Sequence, residues 1–238
     1  MARLFDPRPL PVGATVAVGS TLLLALAVPG FLLAADPLNV PFIGLDSDWH
    51  QWVEDLRTPF WDGVNAVLNW LGYTGAFAAH VLLSVFLMLR RRPFAAAFVA
   101  TAGFAALGLT QLAKWLVGRP RPADAVVLTD TGSYPSGHVS ATTAFVVVLA
   151  LMVARAWLWI LSTIGVLAMM FSRTYLAAHW LTDTFAGAAI AAVVVLLIWL
   201  AFQKVCVREN TDARRMLTWL SRAGRRRRAA AQGESAPQ

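Results

Sequence analysis

One cysteine in 238 residues leaves no internal disulfide framework, and that residue, Cys206, sits in an apolar run where a thiol behaves as a small hydrophobe. Charge is scarce as well: Asp, Glu, Lys and Arg make up 14% of the chain against 58% apolar residues, which excludes an ordinary soluble domain. Internal repeats, Gly/Ser linkers and a second soluble unit are also missing. The whole length is therefore available to one bundle of membrane helices.

What is present are apolar stretches of roughly twenty residues, each enough to cross a hydrocarbon core of about 30 Å. They lie near 14–34, 73–90, 94–114, 138–155, 157–175 and 181–203, and predict an all-α, polytopic bundle of six transmembrane helices. The first lacks a basic start followed by a small-residue cleavage site, so it reads as a retained helix. One membrane domain is expected over 1–206, followed by a basic tail, 207–238, expected to be disordered. The loop 35–72 carries Trp49, Trp52, Phe60 and Trp61 and reads as an interfacial helical segment on the outer face.

Cations set the orientation. Arg90 to Arg92, Arg155, Lys204, Arg208 and the tail arginines (Arg214, Arg215, Arg222, Arg225 to Arg228) fall where the positive-inside rule places the cytoplasm, together with both termini. The loop 35–72 is acidic and falls outside. The tail arginines read as a topology anchor that also binds anionic lipid; no aromatic or folded companion marks them for nucleic acid.

Lys114, Arg121 and Arg173 break this pattern, for they stand on the outer side, near His138 and His179. Cations so placed point to an anionic ligand. In KWLVGRPRP (Lys114 to Pro122), Gly118 and the prolines end the helix and present Arg121 as a fixed fork beside the Lys114 ammonium, a pair suited to phosphate. In PSGH (Pro135 to His138), Ser136 suits an N-cap, Gly137 admits close backbone approach, and the free N–H groups of a helix start favour an anion. His138 can hold a proton at that mouth and deliver it to a leaving oxygen. In SRTYLAAHWLTD (Ser172 to Asp183), His179 and Asp183 are one helical turn apart, so the carboxylate can hold one imidazole nitrogen while the other stays free. Asp124 and Asp130 read as solvated loop charges, not metal ligands. Arg119 reads either as a snorkelling side chain or as a further contact to a diphosphate, and His80 as a helix-to-helix hydrogen bond.

In that order the three segments resemble the signature of the type 2 phosphatidic acid phosphatase superfamily, and the resemblance covers roughly residues 75–200. It implies a metal-independent lipid phosphatase with no cofactor and no metal site. His179 would attack phosphorus, Asp183 would orient it, and His138 would protonate the leaving oxygen. Lys114, Arg121, Arg173, Ser136 and the Gly137 amide would bind the phosphoryl oxygens. The bacterial members it resembles imply an inner-membrane protein acting on undecaprenyl diphosphate from the extracytoplasmic side; phosphatidic acid and phosphatidylglycerophosphate stand as rival substrates. A non-catalytic anionic-lipid binder or transporter is the other class. Against it, the polar residues gather at one surface while the span interiors are nearly uncharged.

Overall fold

The structure, a computed structural model, describes residues 5–127 and 132–231, with side chains described as far as 212. Asp130 and the end of the tail therefore lie outside the described residues. Every described element is helical: α1 (Val12–Ala35), α2 (Ile43–Glu54), α3 (Pro59–Trp70), α4 (Ala76–Leu89), α5 (Pro93–Val117), α6 (Gly137–Val153), α7 (Ala156–Tyr175) and α8 (Leu181–Ala231). A five-residue π-helical stretch, Leu71–Gly75, joins α3 to α4.

Five helical runs are long and apolar enough to cross a membrane: Val12–Ala35, Pro59–Leu89, Pro93–Val117, Ala156–Tyr175 and Leu181–Asp212. The fourth expected span, α6, is apolar but has 17 residues and is shorter than the other five. The protein is thus a multi-pass helical membrane protein. Its lipid-facing surface carries Leu24, Phe31, Leu82, Leu89, Phe104 and Trp115, all exposed. With lipid outside there is little apolar drive between helices, so close approach relies on small residues. Ala102, Ala144 and Ala191 accordingly line the junction of α5, α6 and α8, where the Phe98 and Trp199 rings pack at a tilt with centroids 4.9 Å apart.

One expectation is corrected. The second span begins at Pro59 rather than near 73, because Thr58 caps the helix through its hydroxyl to Trp61 N (3.4 Å), Pro59 occupies its first turn, and the π stretch carries the helix on into α4. Phe60 and Trp61 are then the exposed first turn of a span, and only α2 remains as a separate outer helix. The last helix, α8, runs on past 207 to Ala231.

Helix ends are placed by local chemistry. Gly118, at φ +60°, closes α5 with its N–H on the Lys114 carbonyl (3.0 Å). Glu209 of α8 accepts from the first free amides of α5, Phe94 N at 3.0 Å and Ala95 N at 3.1 Å. One end of the bundle thus holds the Arg90–Arg92 turn and Arg155. The other holds the end of α5, the start of α6, the end of α7, the start of α8 and the helix α2.

Candidate active site

Every residue singled out from the three motifs comes to that second end. Lys114 leaves the last turn of α5 nearly buried and donates to the carbonyls of Gly132 (2.7 Å) and Ser133 (3.4 Å). Arg121, in the extended stretch that the prolines impose, spreads its fork between the carbonyls of Ala178 and Gly132, the latter at 3.2 Å. Arg173, 2% exposed on the last turn of α7, is held by the Asn69 side chain, and its Nε finds no partner among the described residues. His138 stands on the first turn of α6 against the Tyr73 ring (5.3 Å between centroids) and the Asn69 backbone, within electrostatic reach of Lys114, Arg173 and His179.

Ser136 occupies the N-cap position of α6, yet its hydroxyl makes no capping bond and, buried, has no partner among the described residues. A Cβ on Gly137 would meet only Lys114 Cε, at 3.9 Å, so the space above the helix start is open. The start of a helix presents unpaired N–H groups and the positive end of its dipole. Hydroxyl, amides and three cations therefore face one region.

His179 is 3% exposed. Its Nδ1 lies 2.7 Å from the Ser133 carbonyl, which can only accept, so Nδ1 carries the hydrogen. Nε2 then carries the lone pair and accepts from Arg121 Nη1 at 3.4 Å. The expected orienter, Asp183, is farther away: its Oδ2 is 3.7 Å from Nδ1 and takes the Trp180 amide at 2.9 Å. Backbone geometry holds the ring, and the carboxylate supplies field more than a bond. Burial pushes the His179 pKa down to about 3, with Lys114 and Arg173 adding and Asp183 opposing. Tyr134 is pushed up to about 12, by burial and then by the Asp183 charge, and its hydroxyl donates to Leu26 of α1 (3.2 Å). It is a wall.

Two groups escaped the sequence reading and a third has another role than either one read for it. Ser133 contributes a carbonyl, which no residue type announces. Asn69 seats Arg173 from a helix that looked like loop. Arg119 neither snorkels nor stands free for a second phosphoryl group: it is 1% exposed and bridges Asp183 (Nη1 to Oδ1, 2.7 Å) to Asp46 of α2 (Nη2 to Oδ2, 2.7 Å). Asp124, read as a solvated charge, is exposed but paired, with His50 Nε2 at 2.9 Å and Arg57 Nη2 at 2.8 Å. His50, Glu54 and Asp124 bring ligand-type atoms within 4.8 Å of one another, a grouping that Arg57 already joins.

Fold and site together define a helical membrane protein with a cationic, imidazole-bearing cleft at one end of its bundle. Residues 93–205 match the pattern of the PAP2 superfamily, a segment that takes in all three motifs. An undecaprenyl-diphosphatase of Sulfolobus acidocaldarius is 30% identical over 107 residues, 42% of this chain and 48% of that protein, so the match spans about half the relative's length. Among solved structures, the first transmembrane PAP2-type phosphatidylglycerolphosphate phosphatase from Bacillus subtilis aligns with a TM-score of 0.64 at 19% identity, covering 74% of this chain and 92% of that one. LpxE of Aquifex aeolicus aligns at 0.55 and 20% identity, covering 65% and 94%. At these identities the likeness is one of fold.

Proposed function

We propose that the chain is an integral-membrane lipid phosphatase that works through a phosphohistidine at His179, without a metal, on the extracytoplasmic side. The observation that carries this is the tautomer of His179: hydrogen on Nδ1 toward Ser133, lone pair on Nε2 toward Arg121. Nε2 attacks phosphorus, and the N–P bond forms as the P–O bond to the leaving group breaks. His138 gives its proton to the leaving oxygen. Water then attacks phosphorus, the P–N bond breaks with its electron pair returning to Nε2, and the water's proton goes to His138. Phosphoryl transfer needs positioning and compensation of charge on the equatorial oxygens. Lys114, Arg121, Arg173, the Ser136 hydroxyl and the Gly137 amide supply both.

A lipid substrate is supported by a cavity of about 510 Å³ between α4, α5 and α6, walled by Tyr73, Phe77, Phe104 and Leu107 and reaching Gly137 at the phosphate end. A tail lying there leaves its headgroup at the cations. Undecaprenyl diphosphate is the preferred substrate, in keeping with the name of the Sulfolobus relative. One observation favours a second reading, a monophosphate such as phosphatidylglycerophosphate or phosphatidic acid: Arg119, the spare cation for a second phosphoryl group, is already taken by two carboxylates.

Phosphate release from the three lipids by purified protein in EDTA tests both readings. The expected result is turnover that vanadate blocks, with kcat/KM for undecaprenyl diphosphate higher by about tenfold. The reverse order selects the monophosphate reading. Release that stops on chelation rejects the metal-free scheme, and no release from any lipid rejects the enzyme.

A further inference from the structure

Two carboxylates share one guanidinium in the driest part of the site. Asp46 and Asp183 are 0% exposed and Arg119 is 1% exposed. Asp46 also accepts from Thr182 twice, from its amide at 2.9 Å and its hydroxyl at 2.7 Å, while the same hydroxyl accepts from Arg119 at 2.9 Å. The Arg119 guanidinium lies over the Trp180 ring at 5.4 Å. A buried ion pair roughly offsets its own desolvation cost, and a second buried carboxylate on the same cation adds a further cost. Such an arrangement leaves one uncompensated negative charge behind His179.

We infer that Arg119 and Asp46 are positioning residues for the phosphohistidine step, with Asp46 acting on His179 through Arg119 and Asp183. The inference rests on the phosphatase reading above and deepens it. When Nε2 bonds phosphorus, Nδ1 keeps its hydrogen and the ring becomes a cation, facing Asp183 Oδ2. The excess negative charge of the Asp46–Arg119–Asp183 cluster is cancelled at that moment and not before, which stabilises the product of the attack over the ground state. Without Asp46 the Arg119 charge would fall on Asp183 alone and weaken its field at Nδ1. Asp46 also fixes the fork, since each terminal nitrogen of Arg119 holds one carboxylate, a geometry a single ammonium cannot reproduce. Asp46 belongs to α2, outside the segment 93–205 that the family pattern matches.

A simple staple fastening α2 to α8 would use the same bonds, so the test separates field from fastening by a double-mutant cycle. Asp46→Asn is expected to lower kcat about tenfold with KM within about twofold, measured where circular dichroism shows the helices intact. In an Asp183→Asn background the same substitution is expected to change kcat by less than about twofold, because the route to His179 is already cut. Thr182→Ala, a milder change, should follow the same pattern at roughly threefold and serves if Asp46→Asn does not fold. A wild-type kcat in folded Asp46→Asn, or an undiminished factor in the Asp183→Asn background with either variant, overturns the inference and leaves the phosphohistidine reading standing. Wild-type turnover in His179→Ala overturns both.

Discussion

A histidine whose basic nitrogen is buried among cations is a poor base and a ready nucleophile. Burial, aided by Lys114 and Arg173, holds His179 near a pKa of about 3, so the ring is neutral and Nε2 is available at any pH above that. The acid limb of kcat/KM should not fall between pH 7 and pH 5 on account of this residue. The sign for stability is the opposite. The unfolded chain takes up a proton at the ordinary histidine pKa, near 6.5, while the folded protein refuses it until about 3, so stability is lost as pH drops through that window. At pH 4.5 the loss is about 3 kcal/mol relative to pH 7.5. Thermal unfolding in detergent should show His179→Gln losing less than the wild type on acidification; equal losses would mean that the ring is protonated in the folded state. Turnover offers a companion check: His138→Ala should cut kcat by about 10²- to 10⁴-fold, the range for a lost general acid. The sequence showed these residues because each is a charge or an imidazole in an apolar chain. Asp46 did not stand out, since an aspartate in an acidic loop looks solvated and its partner Arg119 is 73 positions away. Ser133 acts through its backbone, which leaves no trace in residue type.

At the scale of elements, the site is as good as the seating of α6 on α8. The Ser136 amide donates to the Asp183 carbonyl at 2.9 Å, and a Cβ placed on Gly187 would stand 2.4 Å from the Ser136 carbonyl oxygen. That obstacle is backbone, so the helices themselves must part. Gly187→Ala is expected to cost about 1–3 kcal/mol of stability and, by shifting the amides at the start of α6, to weaken vanadate inhibition severalfold. Gly108→Ala is the control: it is exposed on α5 with nothing within 4 Å, and should be neutral or slightly stabilising. Equal behaviour of the two variants would show that the close crossing does not matter. The elements themselves were legible wherever hydropathy alone decides, as in α1, α5 and α7. The start of the second span was not, because Asp62, Asn65 and Asn69 dilute its apolar run. Each makes a hydrogen bond: exposed Asp62 accepts from Tyr175 (2.8 Å), Asn65 donates to the Trp61 carbonyl (2.8 Å) while its buried Oδ1 has no partner among the described residues, and Asn69 holds Arg173. A polar residue satisfied inside a bundle is tolerated in a span, and periodicity does not report its partner.

Across the whole molecule, charge divides the two ends of the bundle. Arg90, Arg91, Arg155, Lys204 and Arg208 are exposed at or beyond one end, while Asp36, Asp48, Glu54, Asp55, Asp62 and Asp124 are exposed around the other, beside the cleft. Short cationic turns stay in the cytoplasm during insertion, and this bias supports the proposal that the acidic end, with His179 and His138, faces outside. The helical continuation of α8 to Ala231 fits this polarity, since it carries the chain from the cationic end toward the tail arginines. The assignment can be tested with a single thiol at a time. Cys206 is 2% exposed and can be replaced by Ser, leaving a background without native thiols. Val126→Cys, at a residue 58% exposed in the loop over the cleft, should then react with a membrane-impermeant maleimide in intact cells. Arg91→Cys, exposed in the turn between α4 and α5, should react only after permeabilisation. The reverse pattern would put the cleft in the cytoplasm and restrict its substrates to lipid phosphates of the inner leaflet.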